Sequence, residues 1–314
     1  MPADKTHLGA TRGSGHNRHK PVKITTPATT ANMGPGFDCI GMALQLHNTL
    51  IIEETEHGLL IENRSDLQIP LDKRNLIYVT IENFYKRFGK KVPGLHLIQN
   101  DSIPLTRGLG SSAACIVSGL FAANEISGAG LSRDGLLQMA AEIEGHPDNV
   151  APAFLGGIVA GVMDAGNLVY CKLDAPKLKE LAFAVIIPDF PLPTEQARLI
   201  LPKYYHREDV VFNASRTALL TAALINGRFD LLRTAMQDTI HQPYRSKIIP
   251  GMDDIINECL DQGALGVFLS GAGPALIAVV PYGQSGGFHP ELPPGWILRF
   301  IEPDYHGARI ERID

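Results

Sequence analysis

Pro104-Leu105-Thr106-Arg107-Gly108-Leu109-Gly110-Ser111-Ser112-Ala113-Ala114 is a glycine- and serine-rich loop that runs straight into a helix. Ala113, Ile116, Val117, Leu120 and Phe121 recur at helical spacing and Gly128 supplies a stop, which predicts a helix over 112–127. Gly108 and Gly110 let the backbone turn and approach a ligand closely. Ser111 and Ser112 fall where the first free N–H groups of a helix point outward, and such an end attracts anions. Two readings stand at this level: a phosphate cradle, or an ordinary capped helix after a flexible turn.

Upstream of this loop, strands are expected over 22–26, 44–54 and 94–99, and a helix over 75–88 that Gly89 ends. Downstream, a helix over 133–144 has Ser132 as N-cap and Gly145 as stop, and an apolar strand follows at 158–162. The polar, proline-containing stretch 172–179 is the candidate hinge. Beyond it come a strand at 181–187, a short helix near 195–201 and helices over 209–225, 229–240 and 252–262. Strands at 267–269 and 276–280 then flank Gly271-Ala272-Gly273. Strands and helices mix without a regular βαβ rhythm, so the class is α+β. The expected organisation is a disordered tail over 1–20, an N-terminal nucleotide-binding domain over 21–175 and a C-terminal domain over 176–314.

A chain of 314 residues, 45% of them apolar, is long enough for two domains with a substantial core. A net charge of −5, with no basic stretch interleaved with aromatics, argues against nucleic acid as a partner. Cys39, Cys115, Cys171 and Cys259 are far apart, form no Cys-x-x-Cys, and read as buried free thiols in a reducing compartment. The first twenty residues lack the apolar run of a secretory signal. No stretch reaches the roughly 20 apolar residues of a membrane span, so no membrane is expected and the cytoplasm is the default location. A Walker-A loop is absent, because Gly89-Lys90 is followed by Lys91 rather than Ser or Thr. If this chain is a kinase, Gly108 to Ala114 must hold the phosphates.

The eleven residues match the P-x-x-x-G-L-G-S-S-A-A loop of the GHMP kinases, named for galactokinase, homoserine kinase, mevalonate kinase and phosphomevalonate kinase. Pro27-Ala28-Thr29-Thr30-Ala31-Asn32-Met33-Gly34-Pro35-Gly36-Phe37-Asp38 resembles the family's first motif, and Leu269-Ser270-Gly271-Ala272-Gly273-Pro274-Ala275 its last. The A-N-x-x-x-G-F-D form and Asp148-Asn149-Val150-Ala151-Pro152-Ala153 are similar to the homoserine kinases within it. The resemblance covers about residues 21 to 314. It implies a two-domain GHMP kinase fold, with a ribosomal-S5-like N-terminal domain, a ferredoxin-like C-terminal domain and an active site in the cleft between them. The activity it implies is ATP-dependent phosphorylation of L-homoserine to O-phospho-L-homoserine in threonine biosynthesis, with Mg²⁺, in a homodimer.

The same resemblance distributes roles. Pro104 to Ala114 and Asn75 would bind the nucleotide. Ser111, Ser112 and Glu142 would hold the metal; Glu142 lies one turn before the end of its helix, and Glu144 is expected to face elsewhere. Asn32, Asp38, His146, Thr194, Arg198 and Arg245 would bind the acceptor, the two arginines taking its carboxylate. Asn149, Asp148 and Ser111 would be catalytic, with Asp148 either a base or a structural cap. Each has a plain structural reading too: Glu142 a solvated helix residue, Arg198 a surface residue, Asp38 a turn former, His146 a loop residue before Pro147, Gly271-Ala272-Gly273 an ordinary hairpin turn. Two other functions remain open. One is another small-molecule kinase of the same family, acting on mevalonate or a sugar; the arginine pair is the discriminating feature, which a sugar would not require. A catalytically silent ligand sensor would be marked by loss of the glycine loop or the metal glutamate.

Overall fold

The structure, a computed structural model, describes residues 20–313. The tail expected over 1–20 therefore lies, apart from Lys20, outside the described residues. The first unit runs β1 (Val22–Ala31), β2 (Ile40–Thr55), β3 (Leu59–Asn63), α1 (Leu76–Arg87), β4 (Gly94–Asn100), α2 (Ser111–Ser127), α3 (Arg133–Glu144), α4 (Pro147–Leu155), β5 (Ile158–Asp164), β6 (Asn167–Lys172). The second runs β7 (Leu181–Pro188), α5 (Thr194–Leu199), α6 (Arg207–Asn226), α7 (Leu232–Ala235), α8 (Gln242–Arg245), α9 (Met252–Asp261), β8 (Gly266–Leu269), β9 (Leu276–Pro281), β10 (Trp296–Phe300). The final strand, β11 (Arg309–Arg312), returns to the first unit.

The first sheet has the order β11-β1-β2-β4-β3, with β5 beside β2 and β6 beside β5. Its one parallel pair is β3 with β4, and α1 is the crossover between them. The second sheet is antiparallel, in the order β10-β7-β9-β8. The class is α+β.

Helices α1 to α4 cover one face of the first sheet, and Ile24, Leu50, Leu97, Phe84, Leu120 and Phe154 are buried between them. A second cluster crosses from one unit to the other: Ala28, Met33, Met42 and Leu109 pack with Phe183, Val185, Phe268 and Ile277. This is why β1 is buried at every position from Thr26 to Ala31. Each large side chain in that seam contributes roughly 1.5–3 kcal/mol by burial, so the units are held together by core packing. The expected hinge at 172–179 is correspondingly docked: it contains a 3-10 turn, Pro176–Glu180, whose Leu178 is buried in the seam.

Several elements differ from expectation. Residues 303–312 pack on the first unit although they were expected in the second. Asp304 donates its N–H to the Ala43 carbonyl, Ala308 donates to Ala153, and β11 pairs with the otherwise open edge of β1. The segment after Gly145 forms α4, which the Pro147 at its first position announces. The helix expected over 229–240 shrinks to a 3-10 turn and α7. Three residues past α7, the Asp238 carboxylate accepts the N–H groups of Ile240, His241 and Gln242 and turns the chain into α8. All four cysteines are free, but only Cys259 is buried as expected: Cys39 and Cys115 are half-buried and Cys171 is exposed on β6. No helix among the described residues is long and apolar enough to cross a membrane.

Candidate active site

A cleft of about 330 Å³ opens where the two units meet, lined from the loop before α2, from the segments 32–38 and 144–149, and from Thr194, Arg198, Arg245, Gly271 and Ala272. The loop before α2 is braced from behind. Gly108 and Gly110 have φ of 75° and 69°. A Cβ on Gly108 would collide with the Ser270 carbonyl, and one on Gly110 with the Thr29 hydroxyl. Ser270 donates its hydroxyl to Gly108 O at 2.6 Å, and Ala275 donates its N–H to Arg107 O at 3.1 Å. The Gly271 segment is thus the backing of the loop, more than an ordinary turn. The N-cap of α2 is Gly110, and no side chain caps the helix. Its first N–H groups face the cleft beside Ser111 and Ser112, ready for an anion.

The far end of the cleft is charged. Arg198 grips Asp38 with both guanidinium nitrogens, at 2.8 and 3.0 Å. Asn32 orders the Asp38 loop by accepting the Asp38 N–H at 3.0 Å and donating to Gly271 O at 2.9 Å. Both Asn32 and Asp38 have positive φ, a strained backbone held in place by these bonds. Arg245, 1% exposed, donates to Ala197 O, to Gly271 O and to His241 Nδ1. Its Nη2 has no hydrogen bond among the described residues. Burial, with the charge of Arg198, pushes Arg245 down to about 10. Both guanidinium groups lie over Phe37, at 5.8 and 5.4 Å from the ring centre.

Between these ends lie His146, Asp148 and Asn149. His146 Nδ1 is 2.5 Å from the buried Asp148 carboxylate. Burial works against a charged ring, but the Asp148 hydrogen bond and the carboxylates of Asp148 and Asp38 outweigh it and raise the His146 pKa. Asn149 accepts the Thr29 hydroxyl at 2.8 Å, and its NH₂ has no partner among the described residues. Asp38, His146 and Asp148 bring ligand atoms within 4.8 Å of one another. Arg198 already holds both oxygens of Asp38, so this trio suits an ammonium or hydroxyl better than a metal ion.

Glu142 is not in the cleft. Its carboxylate accepts from Arg87 at 2.6 Å and Gln138 at 2.9 Å on the outer face of α3, and these bonds hold its pKa below the usual range. Two residues on, the helix has turned by about 200°, and Glu144 lines the cleft beside Ser112, 3.4 Å from its hydroxyl. Burial pushes the Glu144 carboxyl pKa up, with the Asp148 charge adding to the shift. The metal role expected for Glu142 therefore has no support from its position.

Comparison with known proteins decides the family. Residues 75–157 match the model of the GHMP kinase N-terminal domain, and residues 220–286 that of the C-terminal domain. A homoserine kinase from Caldicellulosiruptor saccharolyticus is 44% identical over 298 residues, covering 92% of this chain and 96% of that one. One from a type A strain of Clostridium botulinum is 45% identical over 260 residues, covering 82% and 86%. The chain belongs to the GHMP kinase family. A crystal structure of a homoserine kinase from Cytophaga hutchinsonii, 28% identical, superposes with a TM-score of 0.79 over 98% of this chain and all of that one. A mevalonate kinase from L. major, 16% identical, shares the fold with a TM-score of 0.69 over 91% and 96%. This GHMP kinase is a phosphotransferase with an alcohol group as acceptor.

Most of the residues that the sequence singled out line this one cleft: Leu105 to Ser112, Asn75, Asn32, Asp38, His146, Asp148, Asn149, Thr194, Arg198 and Arg245. Pro104, Ala113 and Ala114 do not; both alanines are fully buried in the core behind the loop. The guanidinium of Arg107 is turned away from any nucleotide role, donating to the carbonyls of Leu105, Pro188 and Asp189 and so tying the loop to the end of β7. Asn75 touches the cleft, but its amide is fully committed. It accepts from Ile77 and Tyr78 as the cap of α1 and donates to Pro70 O and Gln99 Oε1. Sequence reasoning missed Glu144, Phe37 and Asp101.

Proposed function

We propose that this GHMP kinase transfers the γ-phosphoryl group of ATP to the hydroxyl of L-homoserine, giving O-phospho-L-homoserine for threonine synthesis in the cytoplasm. One observation carries the reading. The uncapped start of α2 and a paired arginine–carboxylate end open onto the same cleft, the first suited to phosphates and the second to a zwitterion. The relatives at 44–45% identity, named homoserine kinases, support the same acceptor.

The roles follow from the contacts. Backbone N–H groups of the loop and of the first turn of α2 bind the phosphates. Arg245 Nη2 and Arg198 take the acceptor carboxylate, and Asp38 takes its ammonium. Asn149 Nδ2 points a donor at the acceptor hydroxyl's neighbourhood. Asp148 is committed to His146, so it holds that ring rather than acting as a base, and a loose phosphoryl-transfer transition state needs little base catalysis. Glu144, with the hydroxyls of Ser111 and Ser112, fits Mg²⁺, because a half-buried carboxylate with a raised pKa is relieved by a cation. Bound there, the ion would offset charge on the transferred phosphoryl group.

Coupled ADP release should be measured with homoserine, threonine, serine, mevalonate and galactose. Homoserine is expected to be turned over fastest. Faster turnover of mevalonate or galactose would overturn the acceptor assignment.

A further inference from the structure

Asp101 follows β4 directly and lines the cleft, yet no step above uses it. It is 6% exposed, an unusual burial for a carboxylate without a cationic partner. Among the described residues it accepts one long hydrogen bond, from Gln99 Nε2 to Oδ2 at 3.4 Å, and none at Oδ1. Burial alone pushes its pKa up to about 6. A desolvated, under-bonded acceptor of this kind costs stability unless something fills it.

The surroundings say which part of a ligand comes here. Asn75 donates to Gln99 Oε1 at 2.6 Å, and Gln99 points its NH₂ at Asp101, so a short polar chain ends at this carboxylate. The Asn75 amide is spent within that chain and its neighbours; Asp101 holds its open acceptor positions. The same cleft is lined by the apolar Ile69, Pro70, Leu76 and Leu105, and Asn75 ties the Pro70 carbonyl to the polar chain that ends at Asp101. The charged acceptor end lies across the phosphate loop. An apolar slot with one hydrogen-bond acceptor suits a nucleoside, which has flat apolar faces and a few N–H and O–H donors.

We propose that the Asp101 carboxylate accepts a hydrogen bond from the nucleoside half of the phosphoryl donor, and so selects the nucleotide that the loop then holds by its phosphates. This rests on the cleft binding ATP, as proposed above. A carboxylate can take the exocyclic amine of adenine or a ribose hydroxyl, and analogues separate the two.

The test is calorimetric titration, without acceptor, of wild type, Asp101→Leu and Asp101→Asn. The ligands are ATP, purine riboside 5′-triphosphate (which lacks the amine), 2′-deoxy-ATP and 3′-deoxy-ATP. In the wild type one analogue should bind about 10- to 100-fold more weakly than ATP, the loss of one charge-assisted hydrogen bond. In Asp101→Leu that gap should close. In Asp101→Asn, which keeps the shape and guards against a folding defect, it should narrow. ATP binding with no penalty for any analogue, or a gap of equal size in wild type and variants, would overturn the role of Asp101 and leave the kinase reading intact. Failure of ATP itself to bind the wild type would overturn both.

Discussion

Replacing Glu144 and Glu142 separately by Gln distinguishes two carboxylates only two residues apart. Glu142 and Arg87 have side chains 36% and 54% exposed, and an ion pair at such a surface contributes about 0.2–1 kcal/mol. Glu142→Gln should therefore lower stability by less than about 1 kcal/mol and leave turnover almost unchanged. Glu144 differs in every respect. Its one hydrogen bond among the described residues, from Ser112 at 3.4 Å, is too long to hold the fold, and burial already disfavours its charge. Glu144→Gln should leave Tm unchanged or raise it. Its magnesium response should suffer, since even outer partners of metal ligands are worth about 10- to 100-fold in affinity, and a direct ligand should be worth no less. The assay is initial rate against Mg²⁺ at saturating ATP and homoserine, with Tm recorded for each protein. Unchanged half-activation by Mg²⁺ in Glu144→Gln would refute the reasoning, as would a collapse of activity in Glu142→Gln.

Arg198→Met should raise KM for homoserine about 10- to 100-fold by removing a charge-assisted fork, and leave KM for ATP nearly unchanged; a defect confined to ATP would contradict this in steady-state kinetics. Arg245→Met should also weaken homoserine binding, and it should destabilise the fold. It strips donors from Ala197 O, Gly271 O and His241 Nδ1, about 2–3 kcal/mol in all, or roughly 5–10 °C in Tm; a thermal melt at the wild-type temperature would count against it. Gly108→Ala must adopt a left-handed φ and displace Ser270, so KM for ATP and Tm should both worsen; unchanged values of both would show that the loop tolerates a shift. His146 is raised from 6.5 in the folded protein, so its stabilisation is complete below about 6.5 and fades as pH rises through the higher folded value. The stability gap between wild type and His146→Gln should shrink as pH rises above about 6.5 in denaturant titrations, and a constant gap would contradict the assignment.

The sequence spoke clearly where local chemistry is self-contained. The loop from Pro104 and the helix behind it were readable because glycines, serines and apolar spacing all point one way. Ser132 and Gly145 marked the ends of α3 for the same reason. What stayed hidden depends on partners far along the chain. β11 exists because β1 has an open edge, which no feature of residues 309–312 reveals. Arg107 looked like part of the phosphate cradle, but the carbonyls of Pro188 and Asp189, some eighty residues on, claim its side chain. Glu142 and Glu144 are alike in sequence, and only the packing of α3 against α2 decides which one enters the cleft. Asp101 carries no motif at all; it stands out only once its burial and its lack of a cationic partner are seen.

The acceptor assignment is tested most directly by competition. The protein, with Mg²⁺ and limiting ATP, is given equimolar homoserine, serine, threonine, mevalonate and galactose, and the phosphorylated products are resolved by mass spectrometry and ³¹P NMR. O-phospho-L-homoserine is expected to dominate. A dominant phosphate ester of any other acceptor, or ADP released with only inorganic phosphate, would contradict the assignment.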